Sequence, residues 1–434
     1  MKRTTTMTMM ALVAMLLATG PAGAKVRDGE VLAKGTWGAQ VGFVPEAAPE
    51  GFVPGTVLDK GNCASVGAWI PEGLRTLVET WGLTIRTAPY RPIHPSAGYI
   101  EATNRYVGGV KKVEPAPTHY REKAVTGYMA GLPFPDPQDG LEVAYDQAYA
   151  YTGDDGRLWF QAMWISPKRG VWKTEEWVWN SLNRAMHRTD LAPLPAFPRF
   201  EKDGIQYASI AMARTPADKR GTGALYYRFD QPVDQQGWAW VPSMRRDLKM
   251  LFGVPGVSWN NSDMLWEDIR GYSGHPEWYS WTLKGRATIL APMHAGVTFG
   301  KKAATTTFDT ATAPHWNPRV AWEPRPVYVL EGTPRLDTGL SPHPYGKVVM
   351  YVDAETFLVP LKVTYDRKGN LFRVIVHAWN QSPDPDRLPP PLALALSVDV
   401  KHGSATAFAP FESSSNLGLS QTDVTEARLR SLAQ

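Results

Sequence analysis

The sequence has little of several features on which common functions depend. Among its 434 residues there is one cysteine, Cys63, which excludes an internal disulfide and the paired cysteines of a structural zinc site. Lysine and arginine number 46 and aspartate and glutamate 42, and this near balance argues against a nucleic-acid binder, which needs a concentrated basic face. A nucleophilic Cys63 would need a positioned histidine, so we interpret it as a buried or idle thiol.

Catalytic and metal-binding motifs are also missing. No two of the nine histidines stand four residues apart around a glutamate, and none accompanies a cysteine pair. There is no nucleophile elbow, phosphate-binding loop or dinucleotide fingerprint. The adjacent carboxylates Glu175-Glu176 and Asp154-Asp155 are explained by a helix start and a solvated turn. We therefore predict no catalytic residue, no metal site and no cofactor, and a non-enzymatic role.

The one long apolar run lies at the N-terminus. Met9–Thr19 follows the basic residues Lys2 and Arg3, is too short to span a bilayer, and leads to the small-residue site Ala22–Ala24. We interpret residues 1–24 as a signal peptide that is cleaved on export. No cysteine comes directly after the run, which excludes lipid attachment there. The mature protein is expected to be exported, not lipidated, and periplasmic.

Aromatic residues and proline are abundant, with 17 Trp, 17 Tyr and 37 Pro. Aromatic side chains favour strands, and proline favours loops and breaks helices, so the balance predicts a β-rich fold. From residue 204 onward short strand signals recur with turns between them, which is typical of an antiparallel barrel or curved sheet. The tryptophans exceed what a core requires and indicate either a cavity for apolar ligands or an aromatic platform for sugars. Their mixing with Leu, Met and Val favours the apolar ligand.

The chain divides into regions of different composition after the signal peptide. We predict an extended N-terminal arm with a short helix over residues 25–130, a main β domain over 131–382, and a proline-rich, polar tail over 383–434. The helix of the arm is placed at Pro71–Trp81, where apolar side chains recur at three- and four-residue spacing. Within the main domain, Glu175–Met186 has the spacing of an amphipathic helix.

The segment Gly223–Leu251 organises the main domain. Its first part alternates between two unlike faces, which predicts a strand. One face carries Leu225, Tyr227 and Phe229, and the other carries Tyr226, Arg228 and Asp230. A second strand places Trp238 and Trp240 on one face. Aromatic faces of this size either close a core or line a cavity, and the pattern does not tell which face lines it.

We predict ligand-binding residues on the more apolar of these faces and on two later strands. The predicted residues are Tyr227, Phe229, Trp238, Trp240, Met350 and Val363. Three arginines of the same segment are interpreted as solvated side chains, with contact to an anionic head group or a membrane partner as the alternative. These arginines are Arg228, Arg245 and Arg246.

Four segments resemble the bacterial domain-of-unknown-function 1329 family in the same order. They are Gly131–Tyr145, Gly237–Leu251, His275–Gly285 and the strand-rich stretch within Val327–Val374. The resemblance is most specific in the last segment, where a strand, an aspartate turn, a strand and an Asp-x-x-Gly turn follow in register. It covers most of the mature chain, but the arm up to Asn62 departs from the family pattern.

The resemblance implies a mainly β (α+β) fold similar to the periplasmic carriers LolA and LolB. Such a fold is an unclosed, strongly curved antiparallel half-barrel, with helices plugging its concave face and enclosing a hydrophobic cavity. Members are often encoded near envelope export components, which implies outer-membrane and inner-membrane transport components as partners. The family has no known catalytic residues, so none is transferred to this chain.

The residues and the resemblance together predict a periplasmic binding or shuttle protein for a lipid or other hydrophobic molecule within an envelope transport system. A curved sheet with an aromatic face can shelter acyl chains at roughly 0.8 kcal/mol per buried methylene. One alternative is a non-enzymatic scaffold that bridges export components. Another is a hydrolase acting on envelope polysaccharide, which would use spaced carboxylates. The sequence does not define the ligand, the direction of transport or the oligomeric state.

Overall fold

The computed structural model of the protein describes residues 31–233, 235–250, 255–335 and 343–433. The predicted signal peptide, residues 1–24, lies outside these ranges. The α-helices of the described residues are all short. They are α1 (Trp37–Val41), α2 (Glu72–Trp81), α3 (Ala97–Tyr106), α4 (Gly140–Ala148), α5 (Pro198–Asp203), α6 (Ala303–Thr307) and α7 (Glu426–Ala433).

Strands make up most of the regular structure. In chain order they are β1 (Val57–Leu58), β2 (Ile85–Thr87), β3 (Lys111–Lys112), β4 (Val125–Thr126), β5 (Gly156–Ser166), β6 (Gly170–Leu182), β7 (Ile205–Thr215), β8 (Gly223–Phe229), β9 (Gln236–Val241), β10 (Arg246–Met250), β11 (Tyr279–Ala291), β12 (Phe308–Asp309), β13 (Asn317–Pro318), β14 (Ala321–Pro334), β15 (Tyr345–Asp353), β16 (Leu361–Asp366), β17 (Leu371–Trp379), β18 (Leu392–Asp399) and β19 (Ala405–Ser415).

Fifteen strands form one curved, unclosed and mostly antiparallel sheet. The order along the sheet is β11, β14, β15, β16, β17, β18, β19, β5, β6, β7, β8, β9 and β10. Strand β2 pairs in parallel with the start of β14 and carries β1. The end strands β10 and β11 do not pair with each other in the described part of the chain, so the sheet stays open. This architecture confirms the predicted mainly β fold with a curved antiparallel sheet.

Elements other than strands cover both faces of the sheet. We call the side that carries Tyr226 and Arg228 on β8 the cavity face, and the side that carries Leu225 and Tyr227 the opposite face. Helices α2, α5 and α7 pack on the opposite face, where their apolar side chains join those of the strands. Residues 31–43 of the N-terminal arm and α4 pack on the cavity face, over β11, β14 and β15, whereas residues 52–85 of the arm join the cluster on the opposite face.

The helix α2 forms where its apolar spacing predicts it, between Pro71 at the N-cap and Gly82 at the C-cap. Gly82 adopts the left-handed conformation (φ 73°) that ends many helices and that glycine adopts without a steric cost. Helix α4 begins at an Asp139 cap, whose side chain accepts the backbone N–H groups of Leu141 and Glu142. Both helices therefore start and stop at residues that their sequence specifies locally.

Residues 255–278 form a compact segment between β10 and β11, which we call the plug segment. It lies on the cavity face and is built from short 3₁₀ turns rather than α-helix. Trp259 packs against Trp164 and Phe408, which lie on β5 and β19. Trp266 stacks on Trp179 of β6, with ring centroids 6.2 Å apart. The concave-face covering that the resemblance implies as helical is therefore supplied largely by irregular chain.

A fully buried arginine ties the N-terminal arm to the sheet. Arg325 on β14 donates hydrogen bonds to Asp353 at 2.7 and 3.1 Å, to Glu355 at 2.6 Å and to Glu323 at 3.1 Å. Its Nη1 also donates to the carbonyl of Arg91 in the arm at 2.7 Å. All five N–H donors of a guanidinium are thus engaged, as a buried charge requires.

Two sequence predictions need correction. Glu175–Met186, predicted as a helix, lies mainly in strand β6, where Trp177 and Trp179 point to the cavity face. The two adjacent glutamates suggest a capped helix start, but Glu175 is buried and held by Lys173 and Lys219. The pattern missed the strand because this buried carboxylate interrupts the apolar alternation.

Residues 383–434, predicted as a polar tail, contain β18 and β19, which join β17 to β5 in the middle of the sheet. Strand β18 reads LALALSVD and is buried on both faces, so it lacks the alternation that marks a half-exposed strand. The end of β19 is a run of serines that border the cavity. Part of the predicted tail therefore forms central strands of the sheet, and these strands are rich in small residues.

Candidate functional site

A cavity of about 180 Å³ lies between the sheet and the plug segment. Its floor is formed by the cavity face of β5, β6, β7 and β8, and its roof by residues 266–277. Residues 145–152 at the end of α4 and residues 390–392 close two sides. The exposed Arg157 and the serines 413–415 border it where the chain meets solvent. The arrangement is a partly enclosed chamber rather than a surface groove.

The lining divides into an apolar part and a polar part. The apolar part is formed by large side chains from five separate stretches of chain. They are Leu158, Trp179, Trp266, Trp379 and Leu392. The polar part is formed by tyrosines and charged groups. They include Lys123, Tyr149, Tyr226, Arg228, Asp230, Arg270, His275 and Glu277. A molecule with one apolar and one polar end matches this division.

Two adjacent carboxylates fix the plug segment over the cavity. Asp268 accepts a hydrogen bond from the buried Lys362 of β16 at 2.7 Å and another from Tyr345 at 2.7 Å. Glu267 accepts from Tyr279 at 2.5 Å and lies 3.1 Å from His343. Because both acids are buried and paired with strands of the sheet, the roof of the cavity is a built part of the fold.

The pKa of Glu267 reflects that pairing. Burial alone would raise the pKa of this carboxyl, because it disfavours the charged form. Interactions with His343 and Lys362 and the hydrogen bond from Tyr279 outweigh burial and lower the pKa to about 2. Glu267 is therefore ionised, and the neighbouring groups stabilise its negative charge.

Asp230 is also paired, at the other end of the polar part. Its two oxygens each lie 2.7 Å from Nζ of Lys123, and Oδ1 lies 3.3 Å from Nε2 of His187. Burial opposes ionisation, but His187 and Lys123 lower the pKa of Asp230 well below its usual value. Glu277 differs, because burial raises its pKa, and it accepts hydrogen bonds from Tyr145 and the backbone N–H of Ala124.

Two arginines of the lining have no carboxylate partner among the described residues. Arg228 donates from Nη1 to the carbonyl of Ser273 at 2.6 Å and lies over the ring of Tyr207, while its Nε is buried without a hydrogen-bond partner. Arg270 donates to the side-chain oxygen of Asn183 at 3.1 Å. Burial lowers the pKa of Arg270, Tyr207 opposes this, and the charge of Arg228 adds to the lowering. The side chains of both arginines line the same cavity.

A buried histidine completes this corner. His275 is 3% exposed, and its Nε2 has no hydrogen-bond partner. Burial and the charge of Arg228 lower its pKa well below the ordinary value, so the ring is neutral at neutral pH. Unsatisfied polar atoms at a buried position are unusual in folded proteins and need an explanation.

The structure does not bring the six predicted ligand-binding residues together, and none of them lines the cavity. Tyr227, Phe229, Trp238 and Trp240 lie on the opposite face, in the apolar cluster covered by α5 and α7. Tyr227 donates its hydroxyl proton to the carbonyl of Val424 at 2.7 Å. Their role in ligand binding stays a prediction, and their contacts are those of a core.

The other two predicted residues lie in separate clusters. Met350 is on the cavity face but is fully buried beneath the N-terminal arm and α4, away from the cavity. Val363 is on the opposite face and packs against Gly73 of α2. A Cβ on Gly73 would lie 2.7 Å from Val363, so the helix approaches the sheet closely there.

Sequence reasoning missed Tyr226, and it named Arg228 as a solvated side chain with contact to an anionic head group as the alternative. Both residues alternate with Leu225 and Tyr227 on β8, and both line the cavity. The period-two pattern correctly identifies which residues share a face, but it does not tell which face points to the cavity. Arg270 carries no such signal, although its left-handed backbone (φ 58°) shows that the loop holds it in a conformation that most residues avoid.

The described part of the chain offers no evident metal centre, since no group of three or more His, Cys, Asp or Glu in it is placed to hold an ion. Cys63 is buried in the apolar cluster under α2, and burial raises its pKa. None of the helices in the described ranges combines the length and apolarity needed to span a bilayer.

Solved structures with a similar fold are found at low sequence identity. A domain described as an outer membrane lipoprotein-sorting protein from Vibrio parahaemolyticus is 17% identical, with a TM-score of 0.45, over 67% of this chain and 98% of its own. A DUF1329 family protein from Desulfovibrio piger is 18% identical, with a TM-score of 0.45, over 67% and 97%. A LolA superfamily protein from Nitrosomonas europaea is 14% identical, with a TM-score of 0.40, over 67% and 99%. A likeness of this degree identifies neither ligand nor role.

The family assignment comes from the sequence itself. No curated protein matches the chain. The profile of the family described as Protein of unknown function (DUF1329) matches residues 57–430, which is most of the chain and includes every strand of the large sheet. The protein is therefore a member of the DUF1329 family.

Proposed function

We propose that the protein binds a hydrophobic small molecule in the cavity and carries it through the periplasm as part of an envelope transport system. The observation that carries this proposal is the chamber between the cavity face and the plug segment, with Trp179, Trp266 and Trp379 in its walls. Apolar walls and a few convergent polar groups are the usual composition of a small-molecule site. The proposal is for a non-enzymatic role.

The size of the cavity sets what it can hold. Its volume of about 180 Å³ exceeds the roughly 150 Å³ of an engineered apolar cavity that binds benzene. It is smaller than the roughly 300–1,000 Å³ of pockets for drug-sized ligands. The cavity in this conformation therefore accommodates a ring or a short stretch of acyl chain. A longer chain extends past Arg157 and the serines 413–415 or requires the plug segment to move.

Burial of apolar groups is sufficient to drive such binding. Each methylene removed from water contributes roughly 0.8 kcal/mol. A chain of about eight carbons therefore gains about 6 kcal/mol before the entropic costs of binding are subtracted. This supports reversible binding, which a carrier that must release its cargo requires.

The experiment is native mass spectrometry with organic extraction, applied to protein purified from the periplasm. We expect a discrete bound hydrophobic molecule on the wild-type protein. Ala224→Trp, which places an indole in the cavity, should remove the bound mass. The matched control is Ala217→Trp, at an exposed position of the β7–β8 turn, and it should retain the molecule. A wild-type protein that is reproducibly empty and fails to take up an added alcohol of eight carbons would overturn the proposal.

A scaffold role that bridges envelope components is the second candidate. The observation that favours it is the sheet edge at β10, which pairs only with β9 among the described residues. Unpaired strand edges can accept a strand from a partner. A scaffold predicts an empty cavity and a stable complex with outer-membrane or inner-membrane transport components in a pull-down. A carrier predicts the bound hydrophobic molecule in the absence of partners.

A further inference from the structure

The polar corner of the cavity indicates what kind of end group its ligand carries. Two acids at the cavity have basic partners: Asp230 is held by Lys123, and Glu267 by His343. Arg228 and Arg270 have no such partner in the described chain, and they repel one another. Two unneutralised guanidiniums facing one chamber raise the free energy of the empty protein, and an anion between them would lower it.

The polar atoms that lack partners lie in the same corner. The Nε–H donor of Arg228 is buried without a partner, and so is Nε2 of the neutral His275, which donates or accepts according to the tautomer. A guanidinium offers five donors in a planar fork that suits the two oxygens of a carboxylate or a phosphate. The carbonyl of Ser273 and the side chain of Asn183 satisfy one donor on each arginine and hold the two groups in place.

The apolar walls belong to the same cavity as these charges. Tyr226 and Arg228 share the cavity face of β8, and Leu158 and Trp179 line the same floor from β5 and β6, which β7 separates from β8. An apolar chain can lie along that floor while its end group reaches the arginines. A free inorganic anion would use the charges but leave the apolar walls uncovered.

We propose that Arg228 and Arg270 bind the oxyanion group of an amphipathic ligand, a carboxylate or phosphate ester attached to an apolar chain, whose chain occupies the tryptophan-lined part of the cavity. This inference rests on the proposed carrier function and adds the chemical class of the cargo. It predicts that the protein prefers an anionic amphiphile over a neutral one with the same chain.

The test is isothermal titration calorimetry of the full mature protein with three probes at pH 8: sodium octanoate, octanol and inorganic phosphate. Octanoate is fully ionised at this pH, because an unperturbed carboxyl has a pKa near 4. We expect octanoate to bind about ten- to hundredfold more tightly than octanol, as a charge-assisted hydrogen bond at a buried site contributes. We expect phosphate alone to bind more weakly than octanoate.

The variants are Arg228→Gln combined with Arg270→Asn, since Asn tolerates the left-handed backbone at position 270. The double variant should lose the preference for octanoate over octanol and keep the affinity for octanol. Arg246→Gln, at an exposed arginine of β10, is the matched control and should behave as wild type. Arg228→Lys keeps the charge and should retain part of the preference. If the double variant does not fold, the comparison of octanoate with octanol on wild type still decides.

Each outcome has one meaning. Equal affinities for octanoate and octanol on the wild-type protein, or a preference that survives in the double variant, overturn this inference and leave the carrier function standing. Binding of neither amphiphile overturns the carrier function as well. Phosphate binding as tight as octanoate binding shows a site for a free anion and contradicts the amphipathic ligand.

Discussion

Arg325 differs from the two cavity arginines, Arg228 and Arg270, in the groups that accept its hydrogen bonds. Arg325, between the sheet and the N-terminal arm, is fully buried and donates to Glu323, Asp353 and Glu355. Arg228 and Arg270, at the cavity, donate to one neutral oxygen each. All the N–H donors of Arg325 are engaged by acceptors of the protein itself. The two cavity arginines have no carboxylate partner among the described residues and line a chamber.

The difference separates a structural charge from one that is available for binding. A buried charge that only supports the fold must be neutralised by the protein, because an unpaired one costs several kcal/mol. A binding site must instead keep donors open until its ligand arrives. Removal of a saturated arginine should therefore lower stability, and removal of an unsaturated one should lower ligand affinity. The predictions below test this distinction in order of expected size.

The largest effect is expected for Arg325→Met. The substitution leaves Glu323, Asp353 and Glu355 buried together without their counter-charge, and breaking a buried pair typically costs about 3–5 kcal/mol. The free energy of unfolding from urea titration measures the loss. Arg86→Met, at an exposed arginine of β2, is the control and should change stability by less than about 0.5 kcal/mol. A loss below 1 kcal/mol for Arg325→Met would contradict the structural role.

A substitution on the opposite face that lowers stability by a similar amount should not affect ligand binding. Leu225 is fully buried on β8 beneath α5 and α7, and truncation of a buried leucine costs about 2–5 kcal/mol. Leu225→Ala should therefore unfold at lower urea concentration than wild type but retain the affinity for octanoate, measured under conditions where it is folded. Loss of octanoate binding in this folded variant would place the ligand on the opposite face, where sequence reasoning expected it.

The pairing of Glu267 predicts a pH dependence. Its pKa is about 2 in the folded protein against an ordinary value of 4.5, so it stabilises the fold fully above pH 4.5. As the pH falls from 4.5 to 2, the unfolded chain binds the proton first, and a contribution of up to about 3 kcal/mol is lost. The Glu267→Gln variant lacks this pH-dependent contribution to stability. The difference in unfolding free energy between wild type and variant should shrink over that pH range, and parallel curves would contradict the prediction.

The smallest effect on stability is expected for Arg228→Met. Arg228 is partly buried, and replacement of an incompletely paired charge by an apolar side chain of similar length is often neutral, so the free energy of unfolding should change by less than about 1 kcal/mol. The affinity for octanoate should fall by about tenfold or more. A stability loss as large as that of Arg325→Met would show that Arg228 is a structural arginine.

The fold could be predicted from sequence where the signal is local. Strand alternation on β8, the apolar spacing of α2 and the turns that follow β15 and β16 depend on neighbouring residues, and the structure confirms them. Strand β6 could not be predicted, because its buried Glu175 is neutralised by Lys219 from the turn after β7. Strand β18 lies at the centre of the sheet and shows no alternation.

The site could be predicted only in part, for a related reason. The sequence identifies the two faces of β8, but the choice between them is made by α7, which lies about 200 residues further along the chain and contacts β8. The helices cover the more apolar face and leave Tyr226 and Arg228 to the cavity. Arg270 and the plug segment enter the site through tertiary contacts that no local pattern encodes.

The most direct test of the account is a crystal structure of the protein with octanoate. We predict that the carboxylate lies against Arg228 and Arg270 and that the chain lies along Leu158 and Trp179. Octanoate bound on the opposite face, beside Tyr227 and Trp238, or absent from a cavity that stays empty at saturating concentration, would contradict the account.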